Sequence, residues 1–133
     1  MKIEFTVRNL PPKKDGANSM WGKPSEIPKL KALRIAAVEA MGNLPLINSD
    51  ISLTIKIYAH GRKGDLDNFI TGICDGLMSA RVDRFEDLYS DILPDARPKN
   101  DICYRDDVLI TQITAQRIEI NAGSEYYTIE IVW

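Results

Sequence analysis

Four aspartates carry the densest chemical signal in this chain of 133 residues. Asp65 and Asp67 lie in the run Gly64-Asp65-Leu66-Asp67-Asn68, and Asp106-Asp107 follow about forty residues later. Like charges held close repel one another unless a cation or a proton neutralises them. The run contains no base to match its carboxylates. Oxygen-only donors of this kind suit a hard divalent cation, Mg2+ or Mn2+, better than zinc. Convergence on one spot requires the two stretches to be neighbours in space, so the elements around them decide the matter.

The first stretch follows an alternating segment, 52–59, with Leu53, Ile55 and Ile57 on one face, and a basic turn, Gly61-Arg62-Lys63-Gly64. That pattern predicts a strand, then a loop. Residues 67–80 place Phe69, Ile70, Ile73, Cys74, Leu77 and Met78 at helical spacing, so Asp65 and Asp67 sit where a strand-loop-helix unit opens. Asp67 as an N-cap is the plain structural alternative. Gly72 and Gly76 weaken that helix and point to close packing against another element. Asp106-Asp107 opens a strand over 108–120.

The remaining elements frame this unit. Residues 2–9 alternate Ile3, Phe5 and Val7 against Lys2, Glu4, Thr6 and Arg8, a half-buried strand stopped by Pro11-Pro12. Residues 13–23 read as a loop in which Lys13, Lys14, Asn18, Trp21 and Lys23 could grip a phosphate backbone and stack on a base, or in which Met20 and Trp21 fold back on the core. Ser25 as N-cap and Pro28 in the first turn start a helix to Met41, with Leu30, Leu33, Ala37, Val38 and Met41 inward and Lys29, Lys31 and Arg34 on the solvent side. A short helix over 84–93 ends at Pro94. Asn121-Ala122-Gly123-Ser124 makes a hairpin turn into a last strand, 126–133. The order β-α-β-α-(α)-β-β describes an α+β fold, one mixed sheet with helices mainly on one face, in a single domain spanning 1–133.

Composition agrees with a globular chain: 44% apolar and 27% charged. The net charge of −2 hides an asymmetry. Residues 1–62 hold ten Lys and Arg against five Asp and Glu, +5, whereas 63–133 hold seven against fourteen, −7. No stretch has the length of a signal peptide or a membrane span, and the two cysteines, Cys74 and Cys103, form no CxxC pair. The expected compartment is the cytoplasm, with no membrane partner.

Taken together, Asp65-Leu66-Asp67-Asn68, a helix carrying Asp75-Gly76-Leu77, and Asp106-Asp107 at a strand start resemble the RusA family of Holliday junction resolvases. Leu10-Pro11-Pro12 after the first strand and Arg117 ten residues past Asp107 fit the same family. The resemblance covers most of the chain and leaves 83–101 as an insertion. It implies a homodimeric, magnesium-dependent endonuclease that cuts four-way junction DNA. Asp65, Asp67 and Asp107 would be the catalytic carboxylates and, with Asp106, the metal ligands; Lys13, Lys14, Lys23, Arg62, Lys63 and Arg117 would contact DNA. The chain departs from the family at Thr71, where a lysine is common. A neutral hydroxyl cannot stand in for a cation facing phosphate, so the alternative is a branched-DNA binding protein of the same fold with weak or no turnover. A haloacid-dehalogenase DxD is poorly matched because a basic turn separates strand from motif. An EF-hand fails at its sixth and twelfth positions, here Ile70 and Gly76.

Overall fold

The computed structural model describes residues 1–14, 16 and 19–133. Its elements are β1 (Lys2–Arg8), α1 (Ile27–Met41), β2 (Ile51–Ala59), α2 (Leu66–Gly76), β3 (Ile110–Glu119) and β4 (Tyr126–Val132), with single 3-10 turns at Met20–Gly22, Glu86–Tyr89, Pro94–Ala96 and Asp107–Leu109. The four strands form one mixed sheet in the order β1-β4-β2-β3. This is the α+β, single-sheet architecture that the alternation of apolar residues predicts.

Alternation decides which face is covered. Ile51, Leu53, Ile55 and Ile57 of β2, Tyr127, Ile129 and Ile131 of β4, and Ile3 and Val7 of β1 are buried in one core with Leu33, Ala37 and Met41 of α1 and Phe69, Ile73 and Cys74 of α2. Both helices therefore lie on the same side. The opposite face carries polar side chains and one stacked pair, Tyr58 on Tyr126, with ring centroids 4.5 Å apart. Both cysteines are buried free thiols, and burial pushes each up to about 12, which removes them from nucleophilic chemistry.

The β3–β4 connection is not the hairpin that Asn121-Ala122-Gly123-Ser124 suggests. β4 pairs antiparallel with β2 and β1, and β3 pairs parallel with β2 on its other side, so the chain steps over the end of β2. His60 holds this step: its ring nitrogens lie 3.0 Å from the Ile120 carbonyl and 2.6 Å from that of Gly123, while its backbone N–H donates to Glu125 Oε2. Likewise 84–93 is not a helix. Tyr89 turns inward to donate its hydroxyl to the Trp21 carbonyl, and Arg97 donates to the carbonyls of Ile92 and Ser90, which favours tight turns over a helical ladder. Met20, Trp21, Leu30 and Tyr89 form a second small core, so Trp21 folds back rather than standing out to meet a base. Ser25 does not cap α1; its hydroxyl donates to Glu26 Oε2.

Arg34 reverses its expected orientation. It is fully buried, and its guanidinium donates to five backbone carbonyls: Gly76 and Met78 at the end of α2, and Ala96, Arg97 and Asn100 beyond. Its ring-facing side lies 5.0 Å from the centroid of Trp21. Burial lowers its pKa to about 10, and the group stays charged at neutral pH. A helix leaves its last carbonyls unsatisfied and partly negative, and one buried cation answers several of them together. Arg34→Met should therefore destabilise the fold by about 3–5 kcal/mol, because it strands buried acceptors. Arg34→Lys, with three donors instead of five, should recover only part of that loss in urea denaturation.

Candidate functional site

Helix α2 is the ruler along which the acidic residues are set. Gly64 precedes it at φ +96°, a conformation that favours glycine, and a Cβ there would stand 3.1 Å from the Phe69 ring. Asp65 then occupies the N-cap position without a capping bond, and Asp67 lies in the first turn. Asp67, expected as a metal ligand or else as the helix cap, is exposed and inside the helix, with Asp65 in the cap position, while Thr71 one turn on donates its hydroxyl back to the Asp67 carbonyl at 3.0 Å. Asp75 follows at the helix end. Eight residues of helix separate Asp67 from Asp75 by about 12 Å along the axis.

The second acidic stretch reaches the far end of this ruler. Parallel pairing aligns Ile51 with Ile110 and Ala59 with Glu119, which sets the start of β3 beside the start of β2. Since α2 runs back from the end of β2, the start of β3 meets the C-terminal turn of α2. Tyr104 fixes that meeting by donating its hydroxyl to the Cys74 carbonyl at 2.6 Å, and the Ile102 and Cys103 amides both bond the Leu77 carbonyl. Asp106 Oδ1 accepts from the Val108 N–H at 3.0 Å and caps the turn that Asp107 opens. Asp107 titrates above the ordinary carboxylate range, first because of partial burial, then because the charges of Asp75 and Asp106 crowd it.

The structure therefore gathers Asp75, Asp106 and Asp107, whereas the expected partners Asp65 and Asp67 stand at the other end of α2. The Asp65 loop is tied instead to the far part of β3, where Arg117 Nη1 donates to the Gly64 carbonyl at 2.5 Å. From Ile110 to Arg117 the strand rises about 23 Å, a span that no single ion bridges. The DxDN run and the DD pair each lie at a strand-loop boundary, but at opposite ends of the sheet. Asp75 is the residue that motif reading undervalued. Helical spacing alone did not single it out, since eight positions past Asp67 a residue has turned about 80° away from it around the helix.

Among the described residues, no group of three or more His, Cys, Asp or Glu side chains is placed to hold a metal ion. The donor chemistry nevertheless suits magnesium, which keeps several waters and takes one or two carboxylates plus substrate phosphate. Asp75 and Asp107 supply that number.

The basic residues fall into separate groups. Lys14 lies along α2: its N–H donates to the Asn68 carbonyl and its Nζ pairs with Asp75 at 2.8 Å. The Lys13 amide donates to Glu26 Oε1, and the Lys23 amide closes the Met20–Gly22 turn. Toward the other end of α2, Lys63 pairs with Glu125 at 3.3 Å, half-buried Arg117 bonds the Gly64 carbonyl, and Arg62 is exposed. Asn18 lies outside the described residues. Gly72 explains how Lys14 comes so near: a Cβ there would stand 2.0 Å from the Pro12 carbonyl oxygen, so only glycine lets that backbone lie against the helix. Gly76 serves α1 in the same way, its missing Cβ leaving room for Leu33 and Leu30.

No protein-family model matches the chain, and no curated protein matches it. No helix is long and apolar enough to cross a membrane among the described residues.

Two outcomes test this geometry. Gly72→Ala should cost about 1–3 kcal/mol in denaturant unfolding, since the atom it would strike is backbone and cannot swing aside. Asp107→Asn should raise Tm at pH 7. A carboxyl whose folded pKa is raised binds its proton more tightly when folded, so its charge opposes folding once pH exceeds the ordinary value of about 3.9. The gain should vanish near pH 3, where folded and unfolded chains both carry the proton.

Proposed function

We propose that the chain is a magnesium-dependent endodeoxyribonuclease of the RusA type, acting on four-way junction DNA. The observation that carries this reading is the crowding of Asp107 by Asp75 and Asp106, carboxylates brought together from a helix end and a strand start. Such crowding is unfavourable in the isolated protein and is relieved by a divalent cation. Asp75 and Asp107 would hold the ion, with Asp106 adjacent. When bound, magnesium supplies an acidified water and polarises a phosphoryl oxygen.

The chain's own residues contribute the rest. Lys14 places its ammonium 2.8 Å from Asp75 and can meet the phosphate once the carboxylate turns to the ion. It thereby offers the positive charge that Thr71 does not. Lys63, Arg62 and Arg117 at the other end of α2 suit a second stretch of backbone phosphates. A two-fold dimer would match the two-fold symmetry of a junction and present one such site to each of two strands.

A second reading has its own observation. Thr71 sits between Asp67 and Asp75 with its hydroxyl already committed to the helix backbone, which favours a junction-binding protein of low turnover. One assay decides. Labelled four-way junction and linear duplex are incubated with and without Mg2+, using the native chain and the Asp107→Asn, Asp75→Asn and Asp67→Asn variants. The nuclease reading expects cutting of the junction alone, lost by at least about a hundredfold in Asp107→Asn and Asp75→Asn, with binding retained. Binding without cutting supports the second reading. Loss in Asp67→Asn with Asp75→Asn fully active would return the ion to the start of α2 and overturn the proposed ligand pair.

A further inference from the structure

A cavity of about 480 Å³ opens beside Asp75, between Lys14, Gly16, Ser19, Met20 and Trp21 on one side and the chain leaving α2 on the other. Among the described residues its lining holds three cations, Lys14, Arg81 and Arg84, and one carboxylate, Asp75, which pairs with Lys14. Among the described residues neither arginine has an ion-pair partner. Two further features single them out. Arg81 adopts φ +65°, a left-handed backbone uncommon for a residue with a side chain and held here at a cost. That backbone carries its guanidinium to the Arg105 carbonyl, next to Asp106 and Asp107. Arg84 lays its guanidinium over the Phe85 ring, 4.7 Å from the centroid, which stiffens it without using its N–H donors. Met20, Trp21 and Met78 also line it, and because Met20 and Trp21 belong to the second core they form its floor rather than projecting into it.

We infer that this cavity seats a nucleotide of the DNA strand being cut, its phosphate on Arg81 and Arg84 and its base over the apolar floor. The inference rests on the nuclease reading for the identity of the strand. The chemistry follows from the lining: an anion with a flat apolar part fits a cationic rim above an apolar base, and the volume lies within the range of small-molecule sites. Arginine suits the phosphate because its planar fork can bind two oxygens. Position supplies the rest. Lys14 and Asp75 are shared between the cavity and the carboxylate group, and Arg81 bridges toward Asp107, so a strand lying across the carboxylates runs directly into the cavity. Branched DNA exposes unpaired or readily unpaired nucleotides near its crossover, and these can leave the stack at low cost. Arg81 and Arg84 belong to the acidic half of the chain and border 83–101, which gives that segment a use: Phe85 props one of the two arginines.

The test is fluorescence anisotropy with labelled four-way junction in the absence of Mg2+ at several salt concentrations, followed by cleavage with Mg2+. The variant Arg81→Gly/Arg84→Ala keeps the left-handed backbone at position 81 and removes both cations. Lys2→Ala/Arg8→Ala removes two cations from β1 at the opposite edge of the sheet. Far-ultraviolet circular dichroism and Tm establish that each folds. The inference expects at least about tenfold weaker binding for the first variant and a salt slope smaller by about one to two, with the β1 variant close to the native chain. Equal affinity and equal slope for the first variant overturn the cavity, whatever the native chain cuts. Weakened binding in that variant, together with a native chain that never cuts, keeps the cavity and removes the nuclease reading. A native chain that binds no DNA removes both.

Discussion

One buried guanidinium holds the acidic end of this protein in place. Arg34 reaches from α1 across the core and donates to carbonyls at the close of α2 and along 96–100. Apart from the Arg97 carbonyl, which also accepts from the Asn100 N–H, these oxygens rely on the guanidinium for a donor among the described residues, so the ends of several segments are drawn to a single point. Asp75 sits one residue before the first of those carbonyls, at Gly76. The position of the carboxylate group is thus tied to a residue that touches none of its members. Asp101, just past the last carbonyl, accepts from the Ser79 amide and closes the same knot.

The second constraint is the parallel pairing of β2 and β3. A parallel pair needs a crossover, and α2 is that crossover. The start of β3 must then return to the end of the sheet where β2 began, and Tyr104 and the Leu77 carbonyl lock it there. Given this topology, carboxylates at the start of β3 can meet only the C-terminal turn of α2. Lys14 comes to the same point through Gly72, the one position on α2 where the Pro12 backbone can lie flush against the helix. Burial of Asp107's surroundings and the two nearby charges act in the same direction, toward a bound proton or a bound cation.

Much of this was legible in the chain. Strict alternation in β1, β2 and β4 marks the covered face, and the helical spacing of Phe69, Ile73 and Cys74 marks α2. Arg34 was legible in part. It lies in the stripe Leu30, Leu33, Arg34, Ala37, Met41, which is the buried face of α1, and its charge argued against a position that its spacing supports. The order of strands was not legible, because 121–124 carries ordinary turn residues and only the partners of His60 reveal that the connection crosses β2. Spatial grouping of the aspartates depends on that order. Motif spacing paired Asp107 with Asp65 and Asp67, whereas the parallel pairing of β2 and β3 sets it beside the C-terminal turn of α2. The segment 83–101 defeats periodicity for another reason: its fold is decided by single side chains, Tyr89 and Arg97, bonding to distant or irregular carbonyls.

The account stands on Asp75 and Asp107 sharing one cation. Titration of the protein with Mn2+ under NMR observation reads that directly, since a paramagnetic ion broadens the amides nearest to it. The account predicts that the signals of Asp75, Asp106 and Asp107 broaden first and together, while those of Asp65 and Asp67 persist to higher metal. Broadening centred on Asp65 and Asp67, or none that distinguishes the two ends of α2, would contradict it.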